Sequence, residues 1–132
     1  MVMPTFVKQA LAGDPITVYG SGDQRRSFCH VNDSVRAVLG LLDAPGAVGE
    51  AFNIGNEREI TIMELAERVK DRVASASEIV VVPYDEAYGE GFEDMERRQP
   101  DIGKIRGLLG WEPEKSMDQI IDDVVAYCGA SD

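Results

Sequence analysis

At 132 residues, with 44% apolar and 28% charged side chains, the chain has the composition of one folded domain with its own core and is too apolar to be disordered. Its formal net charge of −11 repels nucleic acid and anionic membranes, so neither is an expected partner, and no apolar run approaches the ~20 residues needed to cross a bilayer. No secretory leader pattern stands at the start, and Cys29 and Cys128 lack both CxxC spacing and a partner His, so the expectation is a cytoplasmic protein with two free thiols and no metal site.

Pro4 stands where a first helical turn tolerates it, and Phe6, Val7, Ala10 and Leu11 form the inward face of a first helix. Gly13-Asp14-Pro15 ends that helix, and Ile16–Tyr19 reads as a strand. After Gly20-Ser21-Gly22, residues Ser27–Val31 read as a second short extended piece. Asn32 or Asp33 is expected to cap a helix to Leu42, with Val35, Val38, Leu39 and Leu42 inward and Pro45-Gly46 as the stop. Ala51–Ile54 reads as a buried strand. Thr61 with Glu64 forms a capping box, opening a helix whose stripe is Ile62, Leu65, Ala66, Val69 and Val73.

Glu78–Pro83 is a strongly apolar strand, and the acidic stretch 84–99 has no periodicity and reads as a loop. Asp101 caps a short helix to Leu109, closed by Gly110, and Trp111 is expected to fill the space between the last two helices. A second capping box, Ser116 with Gln119, opens a helix with Met117, Ile120, Ile121, Val124, Val125 and Cys128 along one side. The fold class is α/β: one small mixed domain over 1–132, built of short strands and amphipathic helices.

Gly20-Ser-Gly22 is not a dinucleotide-binding loop, because Arg25 stands where a third glycine is required. No Walker loop, HExxH or GxSxG occurs. His30, the sole histidine, has no Ser or Cys constellation around it and is expected to pack or cap. Asp14, Asp23 and Asp33 read as turn and cap residues.

Two arginine doublets carry more information. Arg25-Arg26 and Arg97-Arg98 each follow a glycine-bearing turn in a strongly acidic chain. Guanidinium groups present rigid paired donors to phosphate or carboxylate, so the doublets either form an anion site with Tyr19, or pair at the surface with the six acids between Asp85 and Glu96.

The run Gly13-Asp-Pro-Ile-Thr-Val-Tyr-Gly-Ser-Gly-Asp-Gln-Arg-Arg-Ser-Phe28 resembles the segment G-x-P-(I/L)-T-V-Y-G-x-G-x-Q-x-R-x-F of the NAD-dependent nucleotide-sugar epimerases and dehydratases, which are extended short-chain dehydrogenases. The likeness continues through His30-Val-Asn-Asp33, Phe52-Asn-Ile-Gly55, Thr61–Ala66, Arg97-Arg-Gln-Pro-Asp-Ile102 and Leu109-Gly-Trp-Glu-Pro113. It corresponds to the carboxy-terminal part of such enzymes, which grips the nucleotide sugar. Carried over by motif, the resemblance implies that Tyr19 lines the base and ribose site, that Arg26 and Arg98 hold the nucleotide diphosphate, and that Asp101 meets the ribose or positions Arg98. R-x-P-D-I with L-G-W-E-P, and the Tyr88–Asp94 loop, lean toward the UDP-glucuronate decarboxylase and UDP-sugar 4-epimerase branches, one a lyase and the other an isomerase.

In that family NAD takes a hydride from the sugar while the tyrosine of a Tyr-x-x-x-Lys pair removes the hydroxyl proton. Here the tyrosines at 19, 84, 88 and 127 are followed four positions later by Asp23, Tyr88, Phe92 and Ser131, and no glycine fingerprint occurs. The expectation is therefore a fragment that lacks the Rossmann domain, has no catalytic residues, and binds a UDP-sugar but not NAD by itself. Two other readings stay open: a stand-alone UDP-sugar-binding module without catalysis, and a structural remnant that self-associates through surface normally covered by the Rossmann domain.

Overall fold

A computed structural model of the chain describes residues 1–88 and 95–130. Helices and short strands alternate: α1 (Val2–Ala12), β1 (Ile16–Tyr19), β2 (Arg25–Ser27), α2 (Val31–Leu42), β3 (Glu59–Thr61), α3 (Ile62–Arg72), β4 (Ile79–Val82), α4 (Tyr84–Tyr88), β5 (Arg97–Arg98), α5 (Gly103–Leu109) and α6 (Met117–Gly129), with a 3-10 turn at Pro45–Ala47. This is the α/β class of short strands and amphipathic helices anticipated from the sequence. No helix among the described residues is long and apolar enough to cross a membrane.

The strands form two small sheets. β1 and β4 pair in parallel, with Ile16 opposite Ile79 and Tyr19 opposite Val82. The other sheet has the order β3-β2-β5, antiparallel between β2 and β3 and parallel between β2 and β5. The main core lies where α1, α3 and α6 pack together against β1, and its fully buried members include Phe6, Val7, Ile16, Val18, Leu65, Val69 and Ile121. Both capping boxes form. The Thr61 hydroxyl accepts the Glu64 N–H at 3.1 Å while Glu64 accepts the Thr61 N–H at 3.0 Å, and Ser116 and Gln119 exchange the same pair of bonds. The α3 and α6 stripes face the core as their spacing requires.

A second, smaller core joins α2 to α5 through Ala37, Ile102, Ile105 and Trp111. Here the structure corrects several expectations. Trp111 fills the space between α2 and α5, not between α5 and α6, because its Nε1–H donates to the Asp33 carbonyl at 3.1 Å. α2 presents a different face to the core from the one expected. The buried residues of α2 are Asp33 and Ala37, the small residue that admits the indole, whereas Val35, Val38, Leu39 and Leu42 are 50%, 47%, 57% and 76% exposed. The cap of α2 is His30, whose Nδ1 accepts the Asn32 N–H at 3.1 Å, and not Asn32 or Asp33.

Ala51–Ile54 is not a strand; Phe52 and Ile54 pack as side chains beside Trp111, and β2 instead takes Glu59–Thr61 as its partner, where Ile60 is buried. The extended piece expected at Ser27–Val31 is instead Arg25–Ser27, which starts two residues earlier and ends four earlier, since His30 already caps α2. Leu11 is 46% exposed, outside the α1 face. Within the expected loop 84–99, α4 and β5 are ordered elements; residues 89–94, which carry most of the Tyr88–Asp94 motif, lie outside the described residues.

Asp33 joins α2 to the segment entering α6. Its Oδ2 accepts the Lys115 N–H at 3.0 Å and its Oδ1 meets Arg36 Nη2 at 3.1 Å. Burial raises the carboxyl pKa, but the main-chain donors Lys115 and Glu114, together with Arg36, outweigh it and hold the group below its ordinary value of 3.8. Because the folded-state value is depressed, this contribution is complete above about pH 4 and is lost as the pH falls through the folded-state value. Asp33→Asn is expected to lose ~2 kcal/mol in urea unfolding at pH 7, and the gap from wild type should narrow as unfolding is repeated at decreasing pH below 4.

Glycine chemistry is required at the turn after β1. Gly20 has φ +74° and a Cβ built there would lie 2.5 Å from the Tyr84 ring, so the turn exists because this residue has no side chain. Gly13 has a similar φ of +75° but open space around it. Gly13→Ala should therefore cost about 1 kcal/mol and Gly20→Ala about 2 kcal/mol or more by thermal unfolding, the difference measuring the Tyr84 contact.

Candidate functional site

The parallel pairing of β2 with β5 decides where the four arginines of the two doublets go. Arg25 is opposite Arg97 and Arg26 is opposite Arg98. Side chains alternate across a strand and neighbouring strands lie ~4.8 Å apart, so one arginine of each doublet shares each face of the sheet. On one face stand Arg25, Arg97 and, from β3, Glu59; on the other stand Arg26, Arg98 and, from β3, the buried Ile60.

Among the described residues Arg97 takes its carboxylate partner from β3, not from the acids between Asp85 and Glu96. On the first face, Arg97 Nε donates to Glu59 at 2.8 and 2.9 Å, and its Nη2 lies 2.7 Å from the same carboxylate. The Arg97 hydrogen bond is the main reason that the Glu59 carboxyl is held below its usual range, and Arg25 adds to the effect. On the second face, Arg26 Nη1 donates to the carbonyls of Arg25 at 2.7 Å and Met95 at 2.8 Å, which directs the guanidinium along the β5 side of the sheet.

Beside this second face lies an open cleft of about 860 Å³, whose lining includes Tyr19, Gln24, Arg26, His30 and Tyr84 with apolar residues of α1 and α6. Gln24 organises its polar wall: its amide donates to the Tyr19 carbonyl at 2.8 Å and to the Tyr84 hydroxyl at 3.0 Å. The Tyr19 side chain is 40% exposed. His30 caps α2 through Nδ1 and places Nε2 3.0 Å from Asp123, so it ties α2 to α6 as the packing-or-capping expectation requires.

Tyr19 and Arg26 thus line one cleft, and Arg98 is the strand partner of Arg26. Asp101 is placed differently: its Oδ1 accepts the Gly103 N–H at 2.8 Å at the start of α5, and its carbonyl accepts the Asn53 side chain at 3.2 Å. Sequence reasoning missed Gln24, Tyr84 and Glu59. Gln24 stands inside the resemblance segment and was legible there; Tyr84 and Glu59 join the site only through strand pairing distant in sequence.

The Gly20-Ser21-Gly22 loop does not fit a dinucleotide pyrophosphate. A Cβ at Gly22 would meet Met63 and Val18 at 3.1 Å, Gly20 packs on Tyr84, and the loop leads into β2 instead of a helix. Among the described residues no cluster of three or more His, Cys, Asp or Glu is placed to hold a metal ion.

The family described as GDP-mannose 4,6 dehydratase matches residues 1–124 of the chain. UDP-N-acetyl-alpha-D-glucosaminuronate decarboxylase of Bacillus cytotoxicus is 36% identical over 126 residues, covering 96% of this chain and 39% of that protein. UDP-glucuronic acid decarboxylase 1 of Danio rerio is 39% identical over 126 residues, covering 96% of this chain and 28% of its own length. Among solved structures, UDP-glucose 4-epimerase of Thermotoga maritima, determined with UDP-glucose, superposes with a TM-score of 0.86 at 28% identity, over 99% of this chain and 40% of that one. dTDP-glucose 4,6-dehydratase of Bacillus anthracis, determined with NAD, gives 0.85 at 26% identity over 99% and 40%. The chain spans well under half the length of these relatives. It belongs to the GDP-mannose 4,6 dehydratase family of NAD-dependent nucleotide-sugar epimerases and dehydratases.

Proposed function

We propose that the chain is the substrate-holding part of a UDP-sugar 4-epimerase or UDP-glucuronate decarboxylase, and that its own task is to bind and orient the nucleotide diphosphate. The observation that carries this reading is the register that makes Arg98 the strand partner of Arg26, which lines a cleft together with Tyr19. Two arginines on neighbouring strands, whose backbones lie ~4.8 Å apart, suit the adjacent phosphates of a pyrophosphate. Charge-assisted hydrogen bonds of this kind contribute about 1.5–3 kcal/mol each, enough to offset the field of a chain with a net charge of −11. Tyr19 offers an aromatic face for the base and ribose, held by the Gln24 bond to its carbonyl. Relatives named as UDP-sugar enzymes support the choice of diphosphate.

Hydride transfer lies outside this chain's share of the work, because the sequence has neither Tyr-x-x-x-Lys nor a dinucleotide fingerprint. The expected behaviour of the chain alone is affinity without turnover. Calorimetric titration with UDP should give saturable binding, weakened about 10- to 100-fold by Arg26→Ala or Arg98→Ala. Arg25→Ala, on the opposite face, should bind within about twofold of wild type. The absence of saturation at millimolar UDP, or equal losses at Arg25 and Arg26, contradicts the proposal.

The outward apolar stripe of α2 favours a second property, self-association. Val31, Val35, Val38, Leu39 and Leu42 are each 47% exposed or more, a contiguous helical face that water solvates poorly. Sedimentation of the 14.4 kDa chain should show species larger than a monomer, and Val35→Glu with Leu39→Glu should return it to monomer; a monomeric wild type rejects this reading.

A further inference from the structure

We propose that Glu59 is a positioning residue of this anion site: through Arg97 it fixes the register of β5 on β2 and so decides which arginine of the doublet stands beside Arg26. The inference rests on the reading of Arg26 and Arg98 as diphosphate ligands.

β5 is two residues long, Arg97 and Arg98, and both are arginine. A ladder that short specifies its own alignment weakly, and a slip of one residue exchanges the two faces of a strand. A slip that moves Arg97 opposite Arg26 would still pair arginine with arginine there, so the β5 side chains do not by themselves distinguish those two registers. The pairing also sets like charges opposite one another at both positions, Arg25 against Arg97 and Arg26 against Arg98, which disfavours the ladder. Within β2, Ser27 Oγ donates to the Arg98 carbonyl at 3.3 Å and Arg26 Nη1 to the Met95 carbonyl at 2.8 Å; a side chain that selects between the two β5 arginines has to come from outside the pair.

Glu59 has the geometry to do so. It belongs to β3, on the far side of β2, where it is the Cα partner of Ser27. Its carboxylate reaches across β2 to take the Nε and Nη2 of Arg97, with N···O distances of 2.7–2.9 Å. The Glu59 side chain is 7% exposed and the Arg97 side chain 63%, so the fixed partner is the carboxylate. Arg97 Nη2 also donates to Gln99 at 3.0 Å, and Gln99 in turn donates to the Glu57 carbonyl at 2.7 Å, which ties the residue after β5 to the one leading into β3. With Arg97 committed to Glu59, alternation sends Arg98 to the Arg26 face. The main-chain bond from the Arg25 N–H to the Glu96 carbonyl, 2.7 Å, records the resulting alignment.

The test combines UDP titration with amide hydrogen exchange on the whole chain. Glu59→Gln should weaken UDP binding about five- to tenfold, and Glu59→Gln with Arg98→Ala should bind within about twofold of Arg98→Ala alone, since both act through one side chain. Exchange of the Arg25 amide should accelerate in Glu59→Gln while that of Val69, in the α3 core, stays unchanged; Arg97→Ala should reproduce both effects. Unchanged UDP affinity in Glu59→Gln, additive losses in the double variant, or an unchanged Arg25 amide overturns the proposal for Glu59 alone. A wild type that fails to saturate with UDP removes the anion site itself, and Glu59's part in it.

Discussion

The pairing of two arginine-bearing strands in parallel and in register is the constraint on which the site depends. Alternation along β2 and β5 divides each Arg-Arg doublet between the two faces of the sheet. On one face Glu59 reaches across β2 and pairs with Arg97. The other carries Arg26, which lines the cleft with Tyr19, and its strand partner Arg98. A doublet is therefore not a redundant pair of charges: its two members stand on opposite faces of the sheet.

The rest of the domain supports that sheet. α1, α3 and α6 close the main core against β1, while the capping box at Thr61 begins α3 immediately after β3, so the strand that carries Glu59 is fixed by the helix that follows it. The Ile62 N–H donates to the Gln24 carbonyl at 3.1 Å and the Met63 N–H to the Gly22 carbonyl at 3.0 Å, which anchors the glycine turn to the start of α3. Gln24 is thereby held so that its amide reaches both Tyr19 and Tyr84. Loop, helix start and sheet edge form one connected unit around the cleft.

Much of this was legible in the sequence where a local rule decides the outcome. The capping boxes, the stripes of α3 and α6, and the apolar strands at Ile16–Tyr19 and Ile79–Val82 follow from spacing and side-chain chemistry. Local rules failed where distant partners decide. The apolar residues of α2 suggested an inward face, but the Trp111 bond to the Asp33 carbonyl and the Asp33 bond to the Lys115 N–H place the polar and small residues inside. Phe52 and Ile54 have strand-like chemistry yet find no ladder, because β2 is already bordered by Glu59–Thr61 and β5. The sorting of the arginines between faces could not be read from either doublet alone, since it depends on a register between segments about 70 residues apart.

A structure of the chain with UDP bound tests the central claim most directly. The account predicts the pyrophosphate at the mouth of the cleft, within hydrogen-bond distance of the guanidinium groups of both Arg26 and Arg98, with Arg97 still held by Glu59. A diphosphate bound elsewhere, or met by Arg25 and Arg97 on the opposite face of the sheet, would contradict it.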